Sequence, residues 1–105
     1  MGRRDHLRKV TDYETFFRCV GGIGILREEV WVDAQERVVF YNLAFLMPHL
    51  TGADNGRILG FDNAHDVHER HFMGEVREVE FNGFNETSSR FYREVEALRR
   101  SYEEK

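Results

Sequence analysis

Cysteine and proline are nearly absent from this sequence, with one residue of each, Cys19 and Pro48. A single cysteine cannot form an internal disulfide, and it excludes zinc sites built from several thiolates. A fold that does not depend on disulfides is typical of a reducing compartment. The sequence also lacks a linker-like tract and an internal repeat, so its 105 residues predict one domain.

Long apolar runs are missing as well. No stretch approaches the roughly 18 continuous apolar residues that a membrane-spanning helix needs. The opening MGRRDHLRKV lacks the apolar segment of a signal peptide. We therefore expect a cytoplasmic protein that has no membrane as a partner.

Positive charge is scarce in the middle of the chain. The net charge is −4, but residues 1–10 carry +3 and residues 86–105 cancel, so residues 11–85 carry −7. An acidic middle repels a phosphate backbone, and it suits a basic protein partner or a nucleic-acid site confined to a small patch. We predict a flexible basic arm at residues 1–10 and a single domain at residues 11–105.

Apolar and aromatic residues are abundant enough for a core: 41% of the chain is hydrophobic, with nine phenylalanines. Strand patterns occur at residues 23–32, 37–47 and 57–61, and a weaker edge-strand pattern occurs at residues 73–81. Residues 11–20 favour a short helix with a capping box, although the same residues could begin a strand. The fold class predicted is α+β, a mostly antiparallel sheet with a C-terminal helix packed across it.

The C-terminal helix has the clearest pattern. Phe91, Val95, Leu98 and Tyr102 recur at the spacing of one helical face, and Asn85 is an available cap. We expect this stripe to lie on one face of the sheet.

The stretch GFDNAHDVHERHFMG, residues 60–74, concentrates the groups that can carry chemistry. Asp62, His65, His68 and His71 follow one another at intervals of three residues. Histidine titrates near neutral pH, so its side chains are candidate acids and bases. Turn-forming residues predict a loop here, and only a loop or a 3₁₀-like turn would bring imidazoles spaced in this way together.

Cleavage of a phosphodiester without a metal needs a base, an acid, and a cation or donor for the phosphate. The three histidines supply candidate acids and bases, and Arg70 could hold a phosphate through two hydrogen bonds. Asn63 could donate to a developing negative charge. No cofactor is required. The predicted catalytic residues are His65, His68, His71 and Asp62, and the predicted substrate-binding residues are Arg70 and Asn63.

Two other interpretations of this stretch stay open. Imidazole and carboxylate groups are metal ligands, so Asp62 and the three histidines could instead form a metal-dependent hydrolase. Their spacing matches no common metal motif, which favours a site without metal. Histidines in surface loops are also commonly inert, and the Asp-Asn pair is ordinary turn chemistry.

The segment GRILGFDNAHDVHERHFMGEV resembles the signature of the TumE-like family of small prokaryotic toxin–antitoxin proteins. The shared features are a strand, an aromatic residue followed by Asp-Asn-Ala, and a histidine-rich stretch. The resemblance implies a toxin encoded beside a helix-turn-helix DNA-binding antitoxin, with RNA or translation as its target. It implies functional positions at Asp62, Asn63, His65, His68 and His71.

Two functions follow from different features of the sequence. The first is a toxin that acts as a metal-independent ribonuclease through the histidine-rich loop. The second is a non-enzymatic module that binds a DNA-binding regulator through its acidic surface. A domain of this size has a small free energy of unfolding, and association of two copies would add to it, so a homodimer is a further expectation.

Overall fold

The computed structural model describes residues 6–102, which form one six-stranded antiparallel sheet and one helix. The strands are paired in sequence order, each with the next. The predicted α+β architecture, with a C-terminal helix across the sheet, is confirmed. The elements are β1 (Arg8–Cys19), β2 (Gly22–Val32), β3 (Val38–Leu46), β4 (Arg57–Asp62), β5 (Glu69–Phe72), β6 (Glu75–Glu78) and α1 (Phe84–Ser101).

The sheet has two unlike faces because successive side chains of a strand point to opposite sides. The helix-covered face carries the paired residues Leu43 and Phe61, and the ring of Phe61 meets the ring of Phe91 on α1 edge to face. The opposite side, which we call the open face, carries the paired residues Asn42 and Asp62. Within residues 6–102 the α-helix does not cover the open face, which is bordered by a short 3₁₀ helix at Ala53–Gly56.

The core lies between the sheet and α1. Phe91 and Val95 of the helix are buried, and Leu98 and Tyr102 pack against the same cluster. The predicted apolar stripe of the helix is therefore confirmed. Its partners are the alternate inward residues of the strands, among them Leu26, Val30, Tyr41, Phe45 and Leu59.

The predicted N-terminal helix is wrong, because residues 8–19 form strand β1. This strand pairs with β2 along its whole length, from Arg8 opposite Val32 to Cys19 opposite Gly22. The chain reverses at Gly21, which has a φ of +83° that glycine adopts without steric strain. The Gly-Gly pair thus makes a hairpin rather than ending a helix, and cross-strand pairing overrides the local helical pattern.

The other predicted strands are present with small shifts at their ends. The histidine-rich stretch was expected to be a loop throughout, but residues 69–72 form β5, and only residues 63–68 connect it to β4. Strand β1 begins at Arg8, inside the segment predicted as a flexible arm, and residues 1–5 lie outside the described residues. Within residues 6–102, no helix has the length and apolar composition needed to cross a bilayer.

Candidate functional site on the open face

A transverse row of polar side chains crosses the open face, one from each strand. The register places them directly opposite one another from β1 to β6: Asp12, Glu29, Asn42, Asp62, Glu69 and Glu78. Five of the six are carboxylates. Like charges directly opposite each other on neighbouring strands are destabilising, so this row needs compensating cations. Where those cations come from differs along the row.

At the β1 end, one lysine serves two carboxylates. The ammonium of Lys9 lies 3.4 Å from Asp12 and 3.8 Å from Glu29. The indole N–H of Trp31 also donates to Glu29, at 2.7 Å. This part of the row is therefore already compensated by its neighbours.

In the centre of the row, Arg57 connects two carboxylates and a histidine. Its Nε donates to Oδ2 of Asp54 at 2.8 Å, and its Nη1 donates to Oδ2 of Asp62 at 3.2 Å. Its Nη2 lies 2.9 Å from Nδ1 of His71. Asp62 and His71 are 4% and 7% exposed, and they are the carboxylate and the imidazole that are buried in the part of the chain that the structure describes. Buried ionisable groups gathered around one another are typical of functional sites.

A β-bulge and a glycine make this arrangement geometrically feasible. Arg57 and Asp62 are five positions apart in β4, which in a regular strand would put them on opposite faces. The register shifts at Ile58, so that Arg57 lies opposite Leu46 and shares the open face with Asp62. The guanidinium then crosses over Gly60, where an added Cβ would lie 2.7 Å from Cδ of Arg57.

Glu69 joins His71 to a second imidazole. Its Oε1 lies 3.2 Å from Nδ1 of His65 and 3.9 Å from Nε2 of His71. The side chain of His65 is 76% exposed, so its other ring nitrogen is available to a ligand. Two of the three predicted histidines therefore meet around one carboxylate oxygen, although the third does not.

The same centre has the composition of a cation site. Asp62, Glu69 and His71 each offer one ligand atom, and these atoms all lie within 4.8 Å of one another. The set shares Asp62 and His71 with the metal-dependent alternative considered from the sequence, but Glu69 takes the place of His65 and His68.

A groove of about 410 Å³ opens beside this centre and reaches across β1 to β4. Asp54 and Arg57 belong both to the groove wall and to the cluster around His71. The wall contains four open-face carboxylates against two guanidinium groups, those of Arg27 and Arg57. The carboxylates are Asp12, Glu14, Glu29 and Asp54. A ligand in this groove meets a predominantly negative surface.

The sequence matches no protein-family model, no curated protein and no solved structure. The geometry of the open face is therefore the observation on which a functional proposal for this chain rests.

His68 lies in different surroundings from the other two histidines. Its ring stacks on Phe81 with a centroid distance of 3.7 Å, and its Nδ1 shares a hydrogen bond of 2.8 Å with the hydroxyl of Tyr41. Tyr41 belongs to the core cluster. Burial, together with the charge of Asp62, raises the pKa of Tyr41 to about 12. The expected convergence of three imidazoles in one cleft is thus not observed.

The two predicted substrate-binding residues also make contacts within the protein. Arg70 follows Glu69 in β5 and faces the helix, where it donates to Glu94 at 2.6 Å and 3.0 Å. The amide of Asn63 accepts from the backbone N–H of Tyr41 at 3.0 Å and donates to the carbonyl of Val39 at 3.1 Å. Asn63 thereby continues the β3–β4 ladder beyond the end of β4.

Sequence reasoning missed Arg57, Asp54 and Glu69 as members of the site. Glu69 could have been found, because it lies two positions before His71 and shares its face once residues 69–72 are taken as a strand. Arg57 carried no such signal, since a regular alternation places it on the wrong face. Only the bulge at Ile58 brings it to Asp62.

Proposed function

We propose that this protein is a toxin that cleaves RNA in the cytoplasm, with its reaction centre on the open face around Glu69. The observation that carries the proposal is that Glu69 lies beside both His65 and His71, and that His71 in turn contacts Asp62. The resemblance of residues 56–74 to TumE-like toxins supports the biological role, including a helix-turn-helix DNA-binding antitoxin as partner.

His65 is the general base in the proposed reaction. Its Nδ1 is held by Glu69, and its exposed side chain leaves Nε2 to accept a proton from the attacking 2′-hydroxyl of RNA. A base oriented by a neighbouring carboxylate is a recurrent arrangement in nucleophilic catalysis. The 2′-oxygen forms a bond to phosphorus as the bond from phosphorus to the 5′-oxygen breaks. The leaving 5′-oxygen takes a proton from water, so the products are a 2′,3′-cyclic phosphate and a 5′-hydroxyl.

Arg57 and Asp62 act on the reaction through His71. The guanidinium of Arg57 is fully engaged with Asp54, Asp62 and His71, so it orients these groups rather than binding a phosphate. Nε2 of His71 lies 3.9 Å from Oε1 of Glu69, and it is the second imidazole nitrogen beside that carboxylate in the proposed reaction centre. Arg57 is accordingly a positioning residue.

The test is inducible expression of His65→Ala and His71→Ala in a tolerant bacterial host, followed by colony counts and analysis of total RNA. Both variants should relieve growth arrest, and purified protein should lose at least about 100-fold in cleavage rate, the usual contribution of a general acid or base. His68→Ala is the control from the same segment. It is compared with the other variants at an equal level of folded protein, because His68 also packs against Phe81 and bonds with Tyr41. Arrest that persists in His65→Ala and His71→Ala at normal protein levels contradicts the proposal.

The acidic open face favours a second function, a non-enzymatic module that binds a basic partner. Its support is the row of carboxylates at the β6 end, where Glu69 and Glu78 lie opposite each other. Binding between exposed charges is screened by salt. A purified helix-turn-helix partner should then bind wild type at low salt, bind Glu78→Gln more weakly, and dissociate at high salt. Salt-insensitive binding, together with RNA cleavage, would contradict this version.

A further inference from the structure

Nε2 of His71 is a buried polar atom that forms no hydrogen bond with any of the residues described. It lies 3.0 Å from Oδ2 of Asp62, but the N–H direction misses that oxygen, so the contact is close without being a hydrogen bond. A buried polar atom without a partner is destabilising. His71 is 93% removed from solvent, and its Nε2 lies 3.0 Å from Oδ2 of Asp62 and 3.9 Å from Oε1 of Glu69, so this nitrogen is placed to meet a ligand shared with two carboxylates.

Among the described residues, no lysine or arginine bridges the carboxylates of Asp62 and Glu69. Asp62 and Glu69 are direct cross-strand partners, as Asp12 and Glu29 are at the other end of the row. Lys9 serves the latter pair, whereas Arg57 contacts only Asp62 of the former pair. Within residues 6–102 no lysine or arginine forms an ion pair with Glu69.

The net charge of the cluster indicates the charge of the ion that would neutralise it. Asp54, Asp62 and Glu69 are three carboxylates around one guanidinium, that of Arg57, which leaves a net charge of −2. One divalent cation neutralises this charge. A monovalent cation would leave the opposed carboxylates half compensated.

We propose that Asp62, Glu69 and His71 bind one divalent first-row transition ion, such as Mn²⁺ or Zn²⁺. Two carboxylate oxygens and one imidazole nitrogen make a mixed ligand set that suits these ions better than Mg²⁺ or Ca²⁺, which prefer oxygen alone. Three protein ligands leave coordination positions for water or substrate, as in catalytic metal sites.

The imidazole of His71 can adopt the required tautomer. A metal on Nε2 requires the single proton of the neutral ring on Nδ1. Nδ1 then donates to Oδ2 of Asp54, which lies 3.3 Å away, and Nη2 of Arg57 turns from Nδ1 to its other partner, Oδ1 of Asp54. A carboxylate behind a metal-binding histidine is a common way to fix the ring and strengthen the ligand.

An ion at this position also reconciles the acidic open face with an RNA substrate. A phosphate approaching the row is repelled by bare carboxylates, but a cation with open positions can bridge the two. This consequence rests on the proposed function, whereas ion binding itself does not. The two are separable by experiment, because binding is measured without RNA.

The test is titration of chelator-treated full-length protein with MnCl₂ and with ZnCl₂, followed by calorimetry and by elemental analysis after desalting. One ion per chain should bind, with Mg²⁺ and Ca²⁺ at least about 10-fold weaker. Glu69→Gln should weaken binding at least about 10-fold, because it removes one of three ligands and keeps the side-chain shape.

Glu78→Gln is the matched control, since Glu78 is the cross-strand partner of Glu69 on the same face and lies outside the ligand set. It should leave the affinity within about twofold of wild type, and circular dichroism checks that both variants are folded. His71→Gln gives a second removal of a ligand. Absence of stoichiometric binding of either ion, or equal weakening by Glu78→Gln and Glu69→Gln, overturns the site. Ion binding without RNA cleavage leaves the site in place and contradicts the ribonuclease proposal alone.

Discussion

At the residue scale, His68 and His71 have different surroundings although three positions separate them. His71 lies on the open face, in β5, among Arg57, Asp62 and Asp54. His68 precedes the strand and packs with the aromatic rings of Tyr41 and Phe81. Equal spacing in a sequence gives equal surroundings only if the backbone is regular, and here the chain passes from a loop into a strand between the two.

The aromatic packing of His68 predicts a contribution to stability. His68→Ala removes the stacking on Phe81 and the hydrogen bond with Tyr41. We expect the free energy of unfolding to fall by about 1–3 kcal/mol, the sum of an aromatic pair and a buried hydrogen bond. Urea unfolding monitored by circular dichroism measures the loss. A variant as stable as wild type would contradict this role for His68.

Tyr41 predicts a loss of stability at alkaline pH. Burial, with a smaller contribution from Asp62, raises its pKa to about 12 from an ordinary value of 10.0. The folded state therefore keeps the phenolic proton to a higher pH than the unfolded state does. The resulting stability is fully present below pH 10.0 and is lost as the pH rises to about 12.

Urea unfolding at several pH values above 9 measures this loss. Tyr41→Phe should flatten the alkaline decline, although its stability at neutral pH is lower because the bond with His68 is lost. Part of the alkaline decline in stability should remain in Tyr41→Phe, because burial and the hydrogen bond with Glu28 raise the pKa of Tyr92 as well. Identical slopes for wild type and Tyr41→Phe would contradict the assignment.

At the element scale, the sequence patterns succeed where local and tertiary preferences agree. The stripe on α1 matches the side of the helix that is buried, and the apolar run at residues 37–47 corresponds to strand β3. Strand β1 was mistaken for a helix, because its aromatic residues fit both periods and the partner strand decides between them. The open-face site was only partly predictable: Asp62, His65 and His71 were identified, but Arg57 depends on a bulge that no local pattern marks.

The absence of a side chain at Gly60 leaves room for Arg57 to reach Asp62 and His71. An added methyl group would meet Cδ and Nη1 of Arg57, at 2.7 Å and 3.0 Å. Because the obstacle is a flexible side chain, Gly60→Ala should fold but displace the guanidinium from Asp62 and His71. In the proposed reaction RNA cleavage should fall at least about 10-fold. The free energy of unfolding should fall by about 1.5–3 kcal/mol, the scale of one hydrogen bond to a charged group.

Kinetics beside urea unfolding test this expectation, with Gly52→Ala as the control, because nothing lies within 4 Å of a Cβ at Gly52. Full activity in Gly60→Ala would show that the position of Arg57 is immaterial.

At the scale of the whole molecule, one helix covers the sheet and one core holds the fold together. Phe91 is fully buried and contacts Phe61 across the layers. Phe91→Ala should lower the free energy of unfolding by about 3–5 kcal/mol. That is a large part of the 5–15 kcal/mol typical of a domain (an order-of-magnitude range). Urea unfolding measures the change, and a loss below about 1 kcal/mol would contradict the assignment of a single core.

The division of the sheet into a helix-covered face and an open face has an evolutionary consequence. Along β4 and β5, alternate residues serve different ends: Phe61 and Arg70 attach the helix, while Asp62 and His71 form the site. Substitutions that affect the packing of the helix and substitutions that affect the open-face cluster therefore fall on interleaved positions of the same short strands. A lineage that loses the cluster can change at every second residue and still keep its architecture.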